Sequence, residues 1–156
     1  MRAEIVLAQM SDKLVLQHLL QLYLHDESEF SGRSVNQQGL FHYPYLDFYW
    51  SEPGRFPFLI YTEKALAGFA LIRNLAPPAD KALWQVAEFF ILRKYRRRGM
   101  GQAAAHQLFD RFSGNWQIKP MIGSLAAQRF WRRVTAGYRA QHPGKCVFTF
   151  EGDKSP

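Results

Sequence analysis

The chain has 156 residues, of which 47% are apolar, 15% aromatic and 21% charged; this suits one domain over residues 1–156 that buries about two-thirds of its unfolded surface, and excludes global disorder. A single cysteine, Cys146, excludes an internal disulfide and a cysteine-built zinc site, and no stretch forms a secretory core or reaches the ~18–20 apolar residues of a membrane span, so a cytoplasmic protein without a membrane partner is expected. Lys and Arg number 20 against 13 Asp and Glu, and the net charge of +7 favours anionic partners. The positive charge gathers over residues 93–98 and at Arg129, Arg132 and Arg133, and the negative at Asp26, Glu27, Glu29, Asp47 and Glu52.

Glu4 to Gln9 is a short apolar run that predicts a strand. Ser11 or Asp12 can cap the following helix, in which Leu16, Leu19, Leu20, Tyr23 and Leu24 share one face and whose end is expected near Ser28. Residues 30–57 are irregular and rich in aromatics. Phe58–Tyr61 and Gly68–Ile72 predict a hairpin around the turn Glu63-Lys64-Ala65. Trp84–Leu92 predicts a longer strand, in which Phe89-Phe90-Ile91-Leu92 is apolar throughout, as when both faces are covered. Gly99–Phe112 predicts a helix with Met100, Ala104, Leu108 and Phe112 four residues apart, stopped at Gly114. A strand over Trp116–Ile122 follows. A helix from Ser124 then places Ala127, Phe130, Trp131 and Val134 on one stripe, and a last strand covers Lys145–Phe150. The order mixes hairpins with β-α-β units, so the expected fold class is α/β (α+β), a mixed twisted sheet flanked by helices.

The chemistry concentrates at Arg96-Arg97-Arg98-Gly99-Met100-Gly101, where an apolar strand gives way to a basic turn and then a helix. A helix N-terminus offers unpaired N–H groups and about half a positive charge. Glycines let the backbone approach an anion, and arginines add donors. Together these predict a phosphate or pyrophosphate cradle. The pattern GxxxxGK[ST] is absent. Gly99 to Ala104 formally fits a dinucleotide-binding GxGxxG/A, but the acidic residue required about 20 positions later is missing: no Asp or Glu lies between Asp110 and Glu151.

The segment from Phe89 to Gly101 resembles the acetyl-coenzyme A motif of the GCN5-related N-acetyltransferase (GNAT) family, Arg/Gln-x-x-Gly-x-Gly/Ala after a strand. Ser124-Leu125-Ala126-Ala127-Gln128-Arg129-Phe130-Trp131 resembles that family's Asn-x-x-Ala-x-x-Phe-Tyr segment, with Gly137-Tyr138 where Gly-Phe often follows. The resemblance implies an acyl-CoA N-acyltransferase fold and direct acetyl transfer from acetyl-CoA to a primary amine of a small molecule, peptide or protein, without a covalent enzyme intermediate. It implies that the backbone of Phe89, Phe90 and Ile91 pairs with the pantetheine arm. The turn N–H groups of Arg97, Arg98, Gly99, Met100, Gly101 and Gln102 would hold the pyrophosphate, with Arg96 at the Arg/Gln position. It leaves a homodimer open. A backbone N–H near Ile91 can polarise the thioester carbonyl, and Glu88, the nearest carboxylate, is the candidate base, its pKa raised by apolar neighbours.

Two positions depart from the family pattern. Ser124 stands for the usual Asn, and its hydroxyl can supply part of that contact with the cofactor. Trp131 stands for the usual Tyr; an indole does not titrate, so the acid is open, with Tyr138 or a water as candidates, and Trp131 is read as a packing wall. The aromatic segment 41–50 is read either as core filling or as lining of the acceptor pocket, with Glu29 or Asp47 binding an ammonium. The five histidines show no ligand spacing, so no metal is expected. Two alternatives stand beside the enzyme: a nucleic-acid-binding basic module, although its usual signatures are missing, and a catalytically inactive acyl-CoA-binding regulator.

Overall fold

The computed structural model describes residues 2–151, in which six strands form one mixed sheet in the order β1-β2-β3-β4-β5-β6. Strands β1 (Glu4–Leu7), β2 (Arg55–Thr62), β3 (Ala65–Asn74) and β4 (Leu83–Ile91) pair antiparallel. Helix α3 (Met100–Arg111) connects β4 to the parallel strand β5 (Gly114–Ile118), and α4 (Leu125–Gln141) connects β5 to the parallel β6 (Cys146–Phe150). Helix α1 (Lys13–Ser31) and the short α2 (Phe48–Ser51) lie between β1 and β2. Among the described residues no helix is long and apolar enough to cross a membrane.

Strand alternation splits the core into two layers. Phe58, Ile60, Ile72 and Trp116 face α3 and α4, where they meet Leu108, Phe109, Val134 and Tyr138. Leu59, Phe69, Leu71 and Phe90 face the other way, where α1 presents Leu16, Leu19, Leu20, Tyr23 and Leu24, the stripe expected from sequence, and the segment 41–50 adds Leu46 and Tyr49. At 4% exposure, Tyr49 fills core beneath the irregular connection.

Several boundaries differ from expectation. Helix α1 runs three residues beyond Ser28, because Gly32 (φ +70°) is the residue that takes the left-handed cap. The hairpin turn is two residues, Glu63 and Lys64, both with positive φ, so pairing extends to Thr62 and Ala65; two consecutive left-handed residues match the twist of the flanking strands. Strand β5 starts earlier and stops at Ile118, ahead of Pro120, which has no N–H for a ladder. β1 stops at Leu7, after which Ala8 donates once more to the Pro57 carbonyl, at 2.8 Å.

The site is positioned by a fork. β4 pairs with β5 only at Leu83, Trp84 and Gln85, opposite Asn115, Trp116 and Gln117, and then the strands part. A hydrogen bond from Gln85 Nε2 to Gln117 Oε1 (2.8 Å) ties the last pair. Just beyond it, β4 carries a bulge: Ile72 pairs with Val86 but Leu71 with Glu88, leaving Ala87 as the extra residue. Bulges bend their strand and raise its twist.

On its other edge β4 is pressed against β3. A Cβ at Gly68 would lie 2.0 Å from the Phe90 carbonyl oxygen and 3.1 Å from the Ile91 Cα. Both are backbone atoms of the strand that lines the cleft. Gly68→Ala is therefore expected to destabilise the protein by about 1–3 kcal/mol, the usual range for overpacking, read as a lowered Tm in thermal denaturation. An unchanged Tm would contradict this packing.

Candidate active site

Beyond the fork a cavity of about 870 Å³ opens, bounded by β4, the β4–α3 turn, the start of α4 and the last turns of α1. Leu92 N–H donates to the Ala67 carbonyl of β3 at 2.8 Å. By strand alternation the N–H groups of Ile91 and Phe89 point the opposite way, to the side that β5 has left. The Ile91 carbonyl on that side accepts from Arg96 Nε at 2.7 Å. The run Phe89–Leu92 is thus apolar because it walls a cleft as well as a core: Phe89 packs edge-on against Trp131 (5.0 Å) and Phe130 stacks beside it (5.9 Å), while Phe90 packs against Tyr23 and Phe69.

The turn that follows is a concave arrangement of left-handed residues. Arg97 has φ +62° and Gly99, at the N-cap of α3, φ +78°. No side chain caps α3, so the N–H groups of its first turn remain for another acceptor. Arg97, Gly99, Gly101 and Gln102 line the cavity. The absent Cβ of Gly101 is filled by the Phe130 ring, 3.0 Å from where that atom would stand. Two expected members contribute less. Met100 is 1% exposed and its side chain lies in the core, which leaves only its backbone for the cradle. Arg98 is exposed and lies outside the cavity lining.

The Arg96 side chain is already engaged. Besides the Ile91 carbonyl it bonds Asp26 Oδ2 at 2.8 Å, and its guanidinium lies over the Phe90 ring at 5.4 Å. Arg93 takes the other oxygen of Asp26, also at 2.8 Å. Burial alone would raise the Asp26 carboxyl, but the hydrogen bonds from Arg96 and Arg93 outweigh it and hold the group below its ordinary range.

Ser124 is the N-cap of α4, its Oγ accepting from the Ala127 N–H at 3.1 Å. One lone pair of that oxygen serves the helix, and the hydroxyl proton and the second lone pair are left for a ligand. Trp131, 5% exposed, is a wall of the cavity. Tyr138, named above as a possible acid, is removed from the cleft: it is fully buried between α3 and β6 and donates to Asp110 Oδ1 at 2.8 Å. Burial and the Asp110 carboxylate push its hydroxyl pKa up. Cys146 is buried and is not part of the cavity lining.

Helix α1 adds Tyr23, His25, Ser28, Glu29 and Phe30 to the lining, and the Tyr23 hydroxyl reaches the Glu88 carboxyl. Glu88 Oε2 is buried with no hydrogen-bond partner. Desolvation pushes its carboxyl up to about 7; Glu27 adds to this, while the Tyr23 hydroxyl, Lys119 and Arg33 oppose it. Burial, with Glu88 nearby, also raises the Tyr23 and Tyr43 hydroxyls. Of the two carboxylates considered for an ammonium, Glu29 lines this cavity, whereas Asp47 pairs with Lys13. Part of the aromatic segment lies elsewhere: Phe41, Tyr43, Pro44 and Leu46 border a separate hollow together with Leu14, Gln17 and His18 of α1.

Sequence reading missed two contributions. Arg129 and Arg133, four residues apart on α4, both line the cavity, and their spacing on one helix face was the available signal. Asp26 had no signal, because its partners are 67 and 70 residues away. Among the described residues no three His, Cys, Asp or Glu side chains gather as a metal site.

A family model, Acetyltransferase (GNAT) family, matches residues 16–136. No curated protein matches the sequence. Solved structures share the fold. A ribosomal-protein-alanine N-acetyltransferase from Brucella melitensis biovar Abortus 2308 is 14% identical, with a TM-score of 0.58 over 85% of this chain and 90% of that one. An aminoglycoside acetyltransferase, meta-AAC0020, from an uncultured soil metagenomic sample and solved in complex with sisomicin, is 14% identical, with a TM-score of 0.60 over 85% and 86%. A predicted acetyltransferase from Clostridium acetobutylicum, solved with acetyl-CoA, is 13% identical, with a TM-score of 0.60 over 84% and 87%. At such identities the likeness to these structures is one of fold. With the family model covering most of the chain, the chain belongs to the GNAT acetyltransferase family and is an acyltransferase by descent.

Proposed function

We propose that the protein transfers an acetyl group from acetyl-CoA directly to a primary amine, and that Glu88 accepts the proton of that amine. The observation that carries the reading is the free edge of β4 leading into the uncapped turn. An edge with unpaired N–H groups suits the amide-bearing pantetheine arm, and the α3 N-terminus with Arg97 suits a pyrophosphate. The residues therefore fit the co-substrate. Acetyl-CoA supplies an activated acyl group on sulfur, whose thiol pKa of ~8.5 lets it leave as thiolate without an obligatory acid. That matters here, because Trp131 has no proton to give and Tyr138 is occupied by Asp110.

The chain's own residues do the rest. Phe89 and Trp131 exclude water on the cofactor side. The inward N–H of Ile91 or Phe89 supports the carbonyl oxygen as charge grows on it. Glu88, on the α1 side, meets an ammonium entering from the acceptor end and removes its proton before attack. The unpartnered Oε2 is the acceptor atom for that proton. Three of the arginines that suggested nucleic acid are committed within the protein: Arg93 and Arg96 to Asp26, and Arg132 over Phe150 at 4.3 Å.

Acetyl-CoA at about 100 times its Kd is expected to stabilise the native protein by ~2.7 kcal/mol, a rise of several degrees in Tm. Gly99→Glu, which places a carboxylate at the cradle, is expected to abolish that rise. Equal shifts in both proteins would remove the turn from the binding site.

With an amine acceptor, kcat/KM is expected to rise through about pH 7, because only the ionised form of Glu88 can take a proton. It is expected to fall again near pH ~10 for a lysine-like acceptor, where the ammonium that Glu88 deprotonates is lost from solution. Glu88→Gln should lower kcat by ~10²–10⁴-fold and erase the first limb. Thiol release measured across pH checks both. A Glu88→Gln enzyme that keeps the limb would show that another group is the base. Acetyl-CoA binding with no thiol release for any amine in a broad panel would support the inactive-regulator reading instead.

A further inference from the structure

We infer that Asp26 is a positioning residue of the cofactor turn: from α1 it clamps Arg93 and Arg96, and so sets the turn's binding conformation before any ligand arrives. The inference rests on the proposed acetyl-CoA reading for its consequence, but its first half concerns the free protein. Arg93, Lys94, Arg96, Arg97 and Arg98 crowd like charges into six positions. Left alone, such a segment repels itself. Asp26 opposes this with both carboxylate oxygens, one on each of two arginines, at 2.8 Å.

The geometry makes Arg96 the central piece. Its Nε bonds the last carbonyl of β4, and its Nη2 bonds α1. One planar side chain thus joins the strand that walls the cleft, the turn that follows it and the helix across the cavity. Held there, Arg96 also covers the Ile91 carbonyl, so the free N–H of that residue is the part left to a ligand. Arg97, in its left-handed conformation, is then free to present its own N–H groups to the cavity.

Simple electrostatics and this clamp predict opposite signs. Asp26 is a negative charge beside an anion site, so removing it should strengthen binding of an anionic ligand through the field alone. If the clamp matters, removal weakens binding. Charge-assisted hydrogen bonds are the stronger class, and losing one commonly shifts an equilibrium by about tenfold or more.

The test uses the full chain with Asp26→Asn, close in shape but without charge, and Arg96→Lys, which keeps the charge but cannot bridge Ile91 and Asp26 together. In the free protein, hydrogen exchange is followed at the amides of Tyr95, Arg96 and Ala103, which are hydrogen-bonded to Leu92, Arg93 and Gly99. Both variants are expected to exchange faster there, with Leu108 and Phe109 inside α3 unchanged. Both should also raise KM for acetyl-CoA by about tenfold while kcat stays within about twofold, since the clamp acts on binding. Unchanged exchange at the turn, or an unchanged or lower KM in Asp26→Asn, overturns the inference. If the unaltered protein fails to bind acetyl-CoA, the functional reading falls, and the exchange data still decide whether Asp26 orders the turn.

Discussion

A strand edge left unpaired inside a protein is expensive, because each buried N–H and C=O needs a partner. In this fold β4 has such an edge from Val86 to Ile91, and the surrounding structure is arranged around it. The Gln85–Gln117 hydrogen bond ends the pairing with β5 at a defined residue. The bulge at Ala87 turns the strand away. Gly68 lets β3 press close enough to hold β4 from its other edge. Arg96 satisfies the last exposed carbonyl. What remains is a short row of N–H groups facing an 870 Å³ cavity, and the proposed co-substrate, which brings its own amides, would pair with that row.

The bulge has a second effect. Trp84 and Val86 face the α3–α4 core, so strict alternation would send Glu88 the same way. The extra residue reverses the phase. Ala87 packs on the α1 side, Glu88 faces Tyr23 there, and Phe90 follows, while Phe89 and Ile91 return to the α3–α4 side. One inserted residue therefore moves the carboxylate from the wall of Trp131 to the wall of Tyr23. Under the proposed reaction this separates the two substrates: sulfur and acyl group along Phe89 and Ile91, and amine against Glu88.

The sequence was informative where a local rule suffices. The stripe on α1, the glycines at the head of α3 and the α4 helix beginning after Ser124 follow from periodicity and caps, and each has its expected place. The segment 30–57 has no period, and the place of its aromatics is set by tertiary packing: Tyr49 is buried in the core, and Phe41 and Tyr43 border the second hollow. Tyr138 stood beside a family motif, yet its side chain leaves the cleft because α4 turns it toward Asp110. Met100 shares its periodicity with the core, and the core claims its side chain. The phase reversal at Ala87 cannot be read from composition at all, since a bulge is defined by the pairing of two strands. The Asp26 clamp joins groups about 70 residues apart and has no local trace.

Burial, rather than any special partner, makes Glu88 suited to its proposed task. A fully solvated glutamate, with a pKa of ~4.3, is ionised at neutral pH but a poor proton acceptor; a fully buried one stays protonated. Here desolvation raises the carboxyl, while the Tyr23 hydroxyl and the cations Lys119 and Arg33 restrain the rise, leaving it near 7. At that value a substantial fraction is ionised and the driving force for proton transfer is appreciable. Neither the Tyr23 hydroxyl nor these cations bonds Oε2, which is left without a partner. Under the proposed reaction, an ammonium ion entering the α1 end would supply both the missing hydrogen bond and the proton, so the unsatisfied oxygen that costs the free protein stability would be the group that the acceptor satisfies on binding.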